Sequence, residues 1–446
     1  MKKILILGAG RSSSAVIDYL LFNSNQYGWK VTVADIDITH SKDRISNHSN
    51  GIAISFTLDN EETAGFIIGE HDVVVSMLPP HLHDRVAAHC LTHSKHLLTA
   101  SYVSKKMHEL NDEASKKGIL FMCEMGLDPG IDHMSAMQII DKIKLKGGII
   151  SSFKSSCGGL VAPACDDNPW HYKISWNPRN VVLAGQATAQ YLDQGIKKFK
   201  PYHRLFAEAE PIKIKGYGNF ELYPNRDSLS YIDTYKLIGI ETIIRATLRK
   251  DGYCSAWNAL VHLGLTDDSY TIEVSDKMTY RDWLYGYLFP KKKNEDVIKT
   301  LSRTLNLKKN HKIIERLNWL GITARKKIGM KTVTPAQILQ ALMEEKWVMK
   351  KNDRDMVVML HEFRYEIDKK KYSHTSTMVL EGEKDHTAMA KTVGLPLGIM
   401  VKLILTTDLK LKGVHIPVMK QVYEPVLKEL KELGVIFNDT VYKVKN

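Results

Sequence analysis

One stretch constrains this chain more than any other: Ile4-Leu5-Ile6-Leu7-Gly8-Ala9-Gly10-Arg11-Ser12-Ser13-Ser14-Ala15-Val16. A short apolar run meets two glycines, and Val16, Ile17, Leu20 and Leu21 then recur at helical spacing. That pattern predicts a strand, a tight turn and a helix start. Gly8 permits the turn, and Gly10 lets another group approach the backbone closely. The helix aims its first N–H groups and its positive dipole end at the turn, where a pyrophosphate would sit. Ser13 stands in place of the third glycine of G-x-G-x-x-G; it is small enough for helix–strand packing but weakens the motif. The next strand, 30–35, ends in Asp35, 35 − 10 = 25 residues after Gly10. A dinucleotide fold places its ribose-binding carboxylate about there. Such a carboxylate accepts hydrogen bonds from ribose hydroxyls and repels a 2′-phosphate, so the pattern reads as NAD in preference to NADP. The alternatives are a strand-end Asp in an ordinary turn, which the glycine turn and the spacing disfavour, and Asp37 nearby as the ligand.

The alternation continues: strands at 51–56, 71–78, 95–100 and 119–123, helices at 61–68, 83–92 and 105–117. This implies an α/β fold with a doubly wound parallel sheet. Strand ends lie on the ligand side of such a sheet, which puts Leu78 and Pro79, then Ala100, Ser101 and Tyr102, then Asp128 there. With 446 residues the chain is too long for one core. Past Gly130 the rhythm changes. A helix at 133–146 precedes a strand at 149–156 and Cys157-Gly158-Gly159. Residues 161–180 carry Trp170, Tyr172, Trp176 and Arg179 and read as a folded loop over a site. Strands at 212–215, 220–223 and 243–249 suggest a second, mixed sheet; 254–350 is helical throughout. Residues 355–366 and 372–381 alternate like a hairpin that rejoins the second sheet. Residues 385–405 are mostly helical, and 424–433 with 435–438 close the chain on the first sheet. The expected domains are 1–128 (dinucleotide-binding, completed by 385–446), 129–253 with 351–384 (mixed sheet, substrate-binding), and 254–350 (all-helical).

The net charge of +12 comes from lysines scattered through 291–293, 350–351, 369–371 and elsewhere, not interleaved with aromatics. That argues against nucleic-acid binding and for small polyanionic substrates. Five cysteines without a CxxC pair fit a reduced, cytoplasmic setting. The chain enters a strand at once, without a signal peptide, and no apolar run looks long enough to span a bilayer, so no membrane association is expected.

Ordered stretches over nearly the whole chain then carry a resemblance. They are Ala100-Ser101-Tyr102-Val103-Ser104, Gly126-Leu127-Asp128-Pro129-Gly130-Ile131-Asp132-His133, Ser156-Cys157-Gly158-Gly159-Leu160, Tyr172-Lys173-Ile174-Ser175-Trp176, Tyr223-Pro224-Asn225-Arg226-Asp227-Ser228, Arg245-Ala246-Thr247-Leu248-Arg249, Asp353-Arg354-Asp355-Met356 and Met389-Ala390-Lys391-Thr392-Val393-Gly394. With these the chain resembles the glutamate-forming saccharopine dehydrogenases (saccharopine reductases). The resemblance implies a Rossmann domain, a mixed-sheet substrate and dimer domain, a helical third domain and a homodimer. It implies interconversion of saccharopine with 2-aminoadipate 6-semialdehyde and glutamate on a nicotinamide cofactor. In the family's fungal, NADP-using branch the position of Asp35 lies in a Cys-Arg-Thr sequence, so this chain departs toward NAD, with NADP the alternative. By carry-over the cofactor touches Gly8, Ala9, Gly10, Arg11, Ser12, Asp35, Leu78, Pro79, Ala100 and Trp176. The substrate touches Ser101, Tyr102, Asp128, Arg226, Thr247, Leu248 and Arg249.

Saccharopine bears three carboxylates, and forked guanidinium groups such as Arg226 and Arg249 clasp carboxylates with two hydrogen bonds. Arg245 and Arg249 lie four residues apart, so a plain strand puts both on one face, and which one points inward stays open. Asp128 reads as an ammonium or water ligand or as a turn cap, Tyr102 as a proton carrier or a core tyrosine, and Cys157 as a neighbour of the nicotinamide or a small hydrophobe. These three are the catalytic candidates; His133 reads as a packed helix-start residue. No metal and no covalent intermediate are expected. Two rivals stand beside this reading. A carboxynorspermidine dehydrogenase-like imine reductase is disfavoured by Arg226 and Arg249. A non-catalytic dinucleotide sensor is disfavoured by the set Ser101, Tyr102, Asp128 and Arg226.

Overall fold

The computed structural model describes residues 1–186, 188–292 and 295–444; Lys293 of the lysine cluster lies outside them. The chain forms two units, Met1–Ile150 with Arg364–Asn446, and Ser151–Phe363.

In the first unit, strands β1 (Lys2–Leu7), β2 (Trp29–Asp35), β3 (Gly51–Ser55), β4 (Val73–Ser76), β5 (His96–Thr99) and β6 (Leu120–Met122) form a parallel sheet. Their order is β3-β2-β1-β4-β5-β6, with the short strand Gly413–His415 beyond β6. Ile4 to Leu7 are wholly buried, as a parallel strand covered on both faces requires. The order reverses between β1 and β4, and the crevice outside the strand ends there is where an α/β sheet receives ligands.

Helix α1 (Ser14–Tyr27) packs on the helix Ala388–Thr406. A Cβ at Gly394 would stand 2.7 Å from the Val16 nitrogen, and one at Gly398 would stand 2.5 Å from the Tyr19 ring. Gly394 therefore lets the helices meet backbone to backbone, and Gly398 makes room for the Tyr19 ring. At 19 residues, Ala388–Thr406 is long and apolar enough to cross a membrane by length and composition, which corrects the expectation above. Most of it is buried inside its own unit, so its apolar character is that of a core helix.

Two further boundaries differ from expectation. The helix at 105–117 is two pieces, Lys105–Glu109 and Asn111–Lys116, broken at Leu110. The last strand, Phe437–Lys443, pairs antiparallel with Lys370–Glu381 rather than closing the first sheet. The first sheet is instead extended by Gly413–His415, three residues too short to carry a periodic signal.

The second unit holds β7 (Ile149–Val161), β8 (Ala189–Asp193), β9 (Ile196–Lys200), β10 (Glu210–Ile214), β11 (Gly218–Pro224) and β12 (Thr242–Lys250). They run β10-β11-β12-β7, with Asp355–Ile367 beside β7 and the β8–β9 pair attached to β12. β12 is parallel to β7 and antiparallel to β11, so the sheet is mixed. The helical stretch does not build a core of its own. Trp257, Leu260, Leu317, Leu339 and Trp347 pack in one cluster with Trp170, Tyr172, Phe206 and Tyr223. The aromatic segment 161–180 is thus part of a core.

Candidate active site

The glycine turn of the first unit is assembled as its sequence requires. Gly8 has φ +101°, and a Cβ there would press on the Met77 carbonyl at 3.1 Å. Only glycine takes that backbone without strain. A Cβ at Gly10 would meet nothing within 4 Å, so the space beside it is open to a ligand. Asp35 reaches back to the turn: its Oδ2 accepts from the Ala9 N–H at 2.7 Å, and its Oδ1 from the Asp37 N–H at 3.1 Å. The carboxylate is thereby fixed with lone pairs to spare. Asp37 is occupied as the N-cap of the following helix. Ser13, at the third glycine position, is buried and donates to the Gly10 carbonyl at 2.8 Å. Its hydroxyl therefore takes a part in shaping the turn that glycine could not. Arg44 donates to the Gly10 carbonyl at 3.3 Å; nothing in its sequence surroundings pointed to this. Arg11 and Ser12 open the helical stretch on the ligand side. The set fits a dinucleotide: an open glycine backbone and a helix start for the pyrophosphate, and a fixed carboxylate for a ribose.

Next along the strand ends stand Leu78 and Pro79, after β4, and Ala100, after β5. Gly126 lies so close to Ala100 that a Cβ would come within 2.9 Å of the alanine methyl. Ser101 is held through backbone and side chain. Its N–H donates to Thr99 Oγ1 at 3.2 Å, its carbonyl accepts from the Glu124 N–H at 3.0 Å, and its Oγ lies 2.9 Å from His83 Nε2. The Tyr102 hydroxyl donates to Asp128 Oδ1 at 3.5 Å, which brings two of the three catalytic candidates together. Asp128 is half-buried and precedes a cis peptide bond to Pro129. Below it, buried Glu124 accepts from the Val103 N–H at 3.1 Å and lies 2.8 Å from buried His133. His133 is therefore a packed residue in an acid–imidazole pair.

In the second unit the arginines separate. Arg245 and Arg249 are both buried on one face of β12, 4% and 3% exposed. Arg245 stacks on Tyr231, 4.3 Å from the ring centroid. Arg249 is boxed by Tyr172, Tyr253 and Tyr223, at 5.3, 5.4 and 6.0 Å. Its Nη1 donates to the Leu248 carbonyl at 2.9 Å, and its Nε has no partner. Among the described residues no carboxylate pairs with it. Burial pushes the Tyr223 hydroxyl up to about 12 and Tyr253 well above its ordinary value, outweighing the nearby guanidinium charge, so neither supplies a counter-ion. Sequence reading did not assemble this box, because 172, 223, 249 and 253 are dispersed along the chain.

Arg226 is exposed, with φ +46°, in the turn after β11, where its carbonyl accepts from the Gln190 N–H at 2.8 Å. Buried Cys157 on β7 pairs in register with Thr247 on β12. Gly158 follows, where a Cβ would stand 2.7 Å from the Leu248 carbonyl; no larger residue fits there. Trp176 donates from Nε1 to the Tyr172 hydroxyl at 3.0 Å, which ties it to the box around Arg249.

Comparison with known proteins agrees across the chain. The saccharopine dehydrogenase NADP binding domain matches residues 4–122, and the saccharopine dehydrogenase C-terminal domain matches residues 126–435. The saccharopine dehydrogenase [NADP(+), L-glutamate-forming] of Saccharomyces cerevisiae is 35% identical over 97% of both chains. The mitochondrial alpha-aminoadipic semialdehyde synthase of Mus musculus is 32% identical over 98% of this chain and 47% of its own length. The apo saccharopine dehydrogenase (L-Glu forming) structure from S. cerevisiae superposes with TM-score 0.90 over 99% of this chain and all of that one, at 33% identity. The NAD-bound homospermidine synthase of Legionella pneumophila, at 11% identity and TM-score 0.56, shares the fold. By sequence and by structure, this chain belongs to the saccharopine dehydrogenase family.

Proposed function

We propose that this chain interconverts saccharopine and water with 2-aminoadipate 6-semialdehyde and glutamate, oxidising a secondary amine by hydride transfer. The observation that carries the reading is Arg249, a buried guanidinium boxed by aromatic rings and, among the described residues, without a carboxylate partner. A buried charge is costly unless paired, and a substrate carboxylate supplies the missing anion in a two-pronged grip. Exposed Arg226 takes a second carboxylate.

A bound nicotinamide dinucleotide supplies the hydride acceptor; Gly8, Ala9, Gly10, Arg11, Ser12, Asp35, Leu78, Pro79, Ala100 and Trp176 are the residues assigned to hold it. The chain's own task is orientation and proton handling. Loss of hydride from the carbon beside the bridging nitrogen leaves an imine, to which water adds. The resulting carbinolamine collapses to semialdehyde and amine. Asp128, within hydrogen-bond reach of Tyr102, holds the water or the substrate ammonium, and the tyrosine hydroxyl passes a proton to the departing amine. Ser101, Thr247 and Leu248 orient the substrate, and Cys157 lines the same strand register as Thr247. Contributions at each residue are modest, because the substrate amine itself moves protons.

Asp35 supports a preference for NAD over NADP, unlike the relatives named for NADP(+). A carboxylate fixed by two backbone N–H groups favours ribose hydroxyls and repels a phosphate in their place. Initial rates with saccharopine and either cofactor test both parts. Turnover with saccharopine and a higher kcat/KM for NAD is expected. A strong NADP preference overturns the Asp35 reading, and turnover only with an amine poorer in carboxylates, such as carboxynorspermidine, overturns the substrate.

A further inference from the structure

We infer that His83 is a positioning residue for Ser101, fixing the direction in which that hydroxyl meets the substrate. The inference rests on the assignment of Ser101 to the substrate under the proposed function. His83 opens the helix His83–Thr92, and its imidazole is buried among three hydroxyls. Nδ1 lies 2.9 Å from Ser76 Oγ at the end of β4. Nε2 lies 2.9 Å from Ser101 Oγ and 3.1 Å from Thr99 Oγ1 at the end of β5. The ring thus joins the ends of two adjacent strands to the residue just beyond them.

The backbone of Ser101 is held by Thr99 on its N–H and by Glu124 on its carbonyl, and of these two only the Thr99 hydroxyl also touches the ring. What the imidazole adds is control of the side-chain torsion and of the hydroxyl's polarity. A neutral imidazole has one donor nitrogen and one acceptor. Its tautomer therefore decides whether Ser101 offers a hydrogen or a lone pair to a ligand. Burial holds the ring neutral, with its pKa lowered to about 4 despite Asp84 nearby and with His81 acting in the same direction as burial. The pair is then uncharged and fixed at ordinary pH. A charged imidazole, with two donor nitrogens, would lose the acceptor side of that arrangement.

The full-length variants H83L, H83Q, S101A and H83L/S101A test this, by saccharopine KM, kcat and the cofactor Kd from fluorescence titration. H83L is expected to raise saccharopine KM about tenfold, the scale of one lost hydrogen bond, with the cofactor Kd unchanged. H83Q, whose amide reaches the Nε2 position, is expected to recover most of the loss. H83L/S101A is expected to be no worse than S101A, since both act through one hydroxyl. Independent, multiplying effects of the two substitutions overturn the inference, as does a cofactor Kd that shifts as far as KM. S101A without effect on saccharopine KM overturns the Ser101 assignment itself, and the inference with it. S101A with an effect and H83L without one overturns the inference alone. Should H83L fail to fold, S76A releases the far side of the ring; a rise in saccharopine KM supports the inference, and an unchanged KM overturns it.

Discussion

The dinucleotide turn and the Arg249 box are built in opposite ways. The turn is local: Gly8, Gly10, Ser13 and Asp35 lie on one β-α-β unit, and the hydrogen bond from Ala9 N–H to Asp35 spans only adjacent parallel strands. The box is non-local: Tyr172 comes from an irregular segment, Tyr223 and Arg249 from paired strands, and Tyr253 from the start of a helix. A charge in the turn rests on backbone N–H donors, whereas the charge in the box rests on aromatic faces. Backbone donors are specified by chain geometry. Aromatic faces are specified only by packing.

The largest expected effect separates activity from stability at the box. Replacing Arg249 with Met removes both prongs of a charge-assisted grip, and saccharopine kcat/KM should fall on the order of a thousandfold. The same variant should hold or gain stability by about 1 kcal/mol, because an unpaired buried charge is replaced by an apolar side chain. Steady-state kinetics and a urea melt on one preparation check both. A variant that unfolds would make Arg249 a structural residue.

The turn should respond next. Asp35→Ser combined with Ile36→Arg, at an exposed position, should move the NAD-to-NADP ratio of kcat/KM toward NADP by about a hundredfold, the worth of removing a repulsive charge and adding a phosphate partner. Initial rates with each cofactor measure it.

Within the turn, two glycines should part company. Gly8→Ala should cost about 1–3 kcal/mol of stability, given its left-handed backbone and the Met77 carbonyl against it. Gly10→Ala, with open space at its Cβ, should leave the melting temperature alone and weaken cofactor binding about tenfold. Thermal melts and cofactor titrations distinguish the two. Equal effects on stability would remove the distinction between a glycine that the fold needs and one that the ligand needs.

A separate effect is a pH dependence at His83. Its folded pKa, about 4, lies below the ordinary 6.5, so the unfolded chain takes up the proton first as pH falls. Its neutral, buried state contributes fully above pH 6.5, and that contribution fades, by about 3 kcal/mol, as pH falls toward 4. His83→Gln should flatten the urea midpoint over that window. An unchanged slope would assign the pH dependence to His71 or His96, whose pKa values are also lowered by burial.

Much of the first unit was legible because a parallel strand buried on both faces is written as an apolar run. β1, β4, β5 and β6 are such runs, whereas the edge strand β3 has no buried residue, and the helix His83–Thr92 appears at the bounds its periodicity gives. Gly413–His415 was not legible, since three residues carry no period, and the pairing of Phe437–Lys443 depended on which sheet lay within reach. In the candidate site, Asp35, Ser101, Tyr102 and Asp128 were visible as residues at strand ends. His83 and Arg44 were not, because a buried histidine at a helix start and a surface arginine have no pattern of their own.

By itself the sequence determined the dinucleotide turn, its acid and the family motifs, since each depends on neighbours a few residues away or one strand over. Only the tertiary structure decided that Arg249, and not Arg245, stands in the three-tyrosine box. Both arginines share one strand face, and identical periodicity cannot tell them apart. What separates them is which aromatic rings arrive from distant segments, and that is settled by packing, the one interaction that local spacing does not encode.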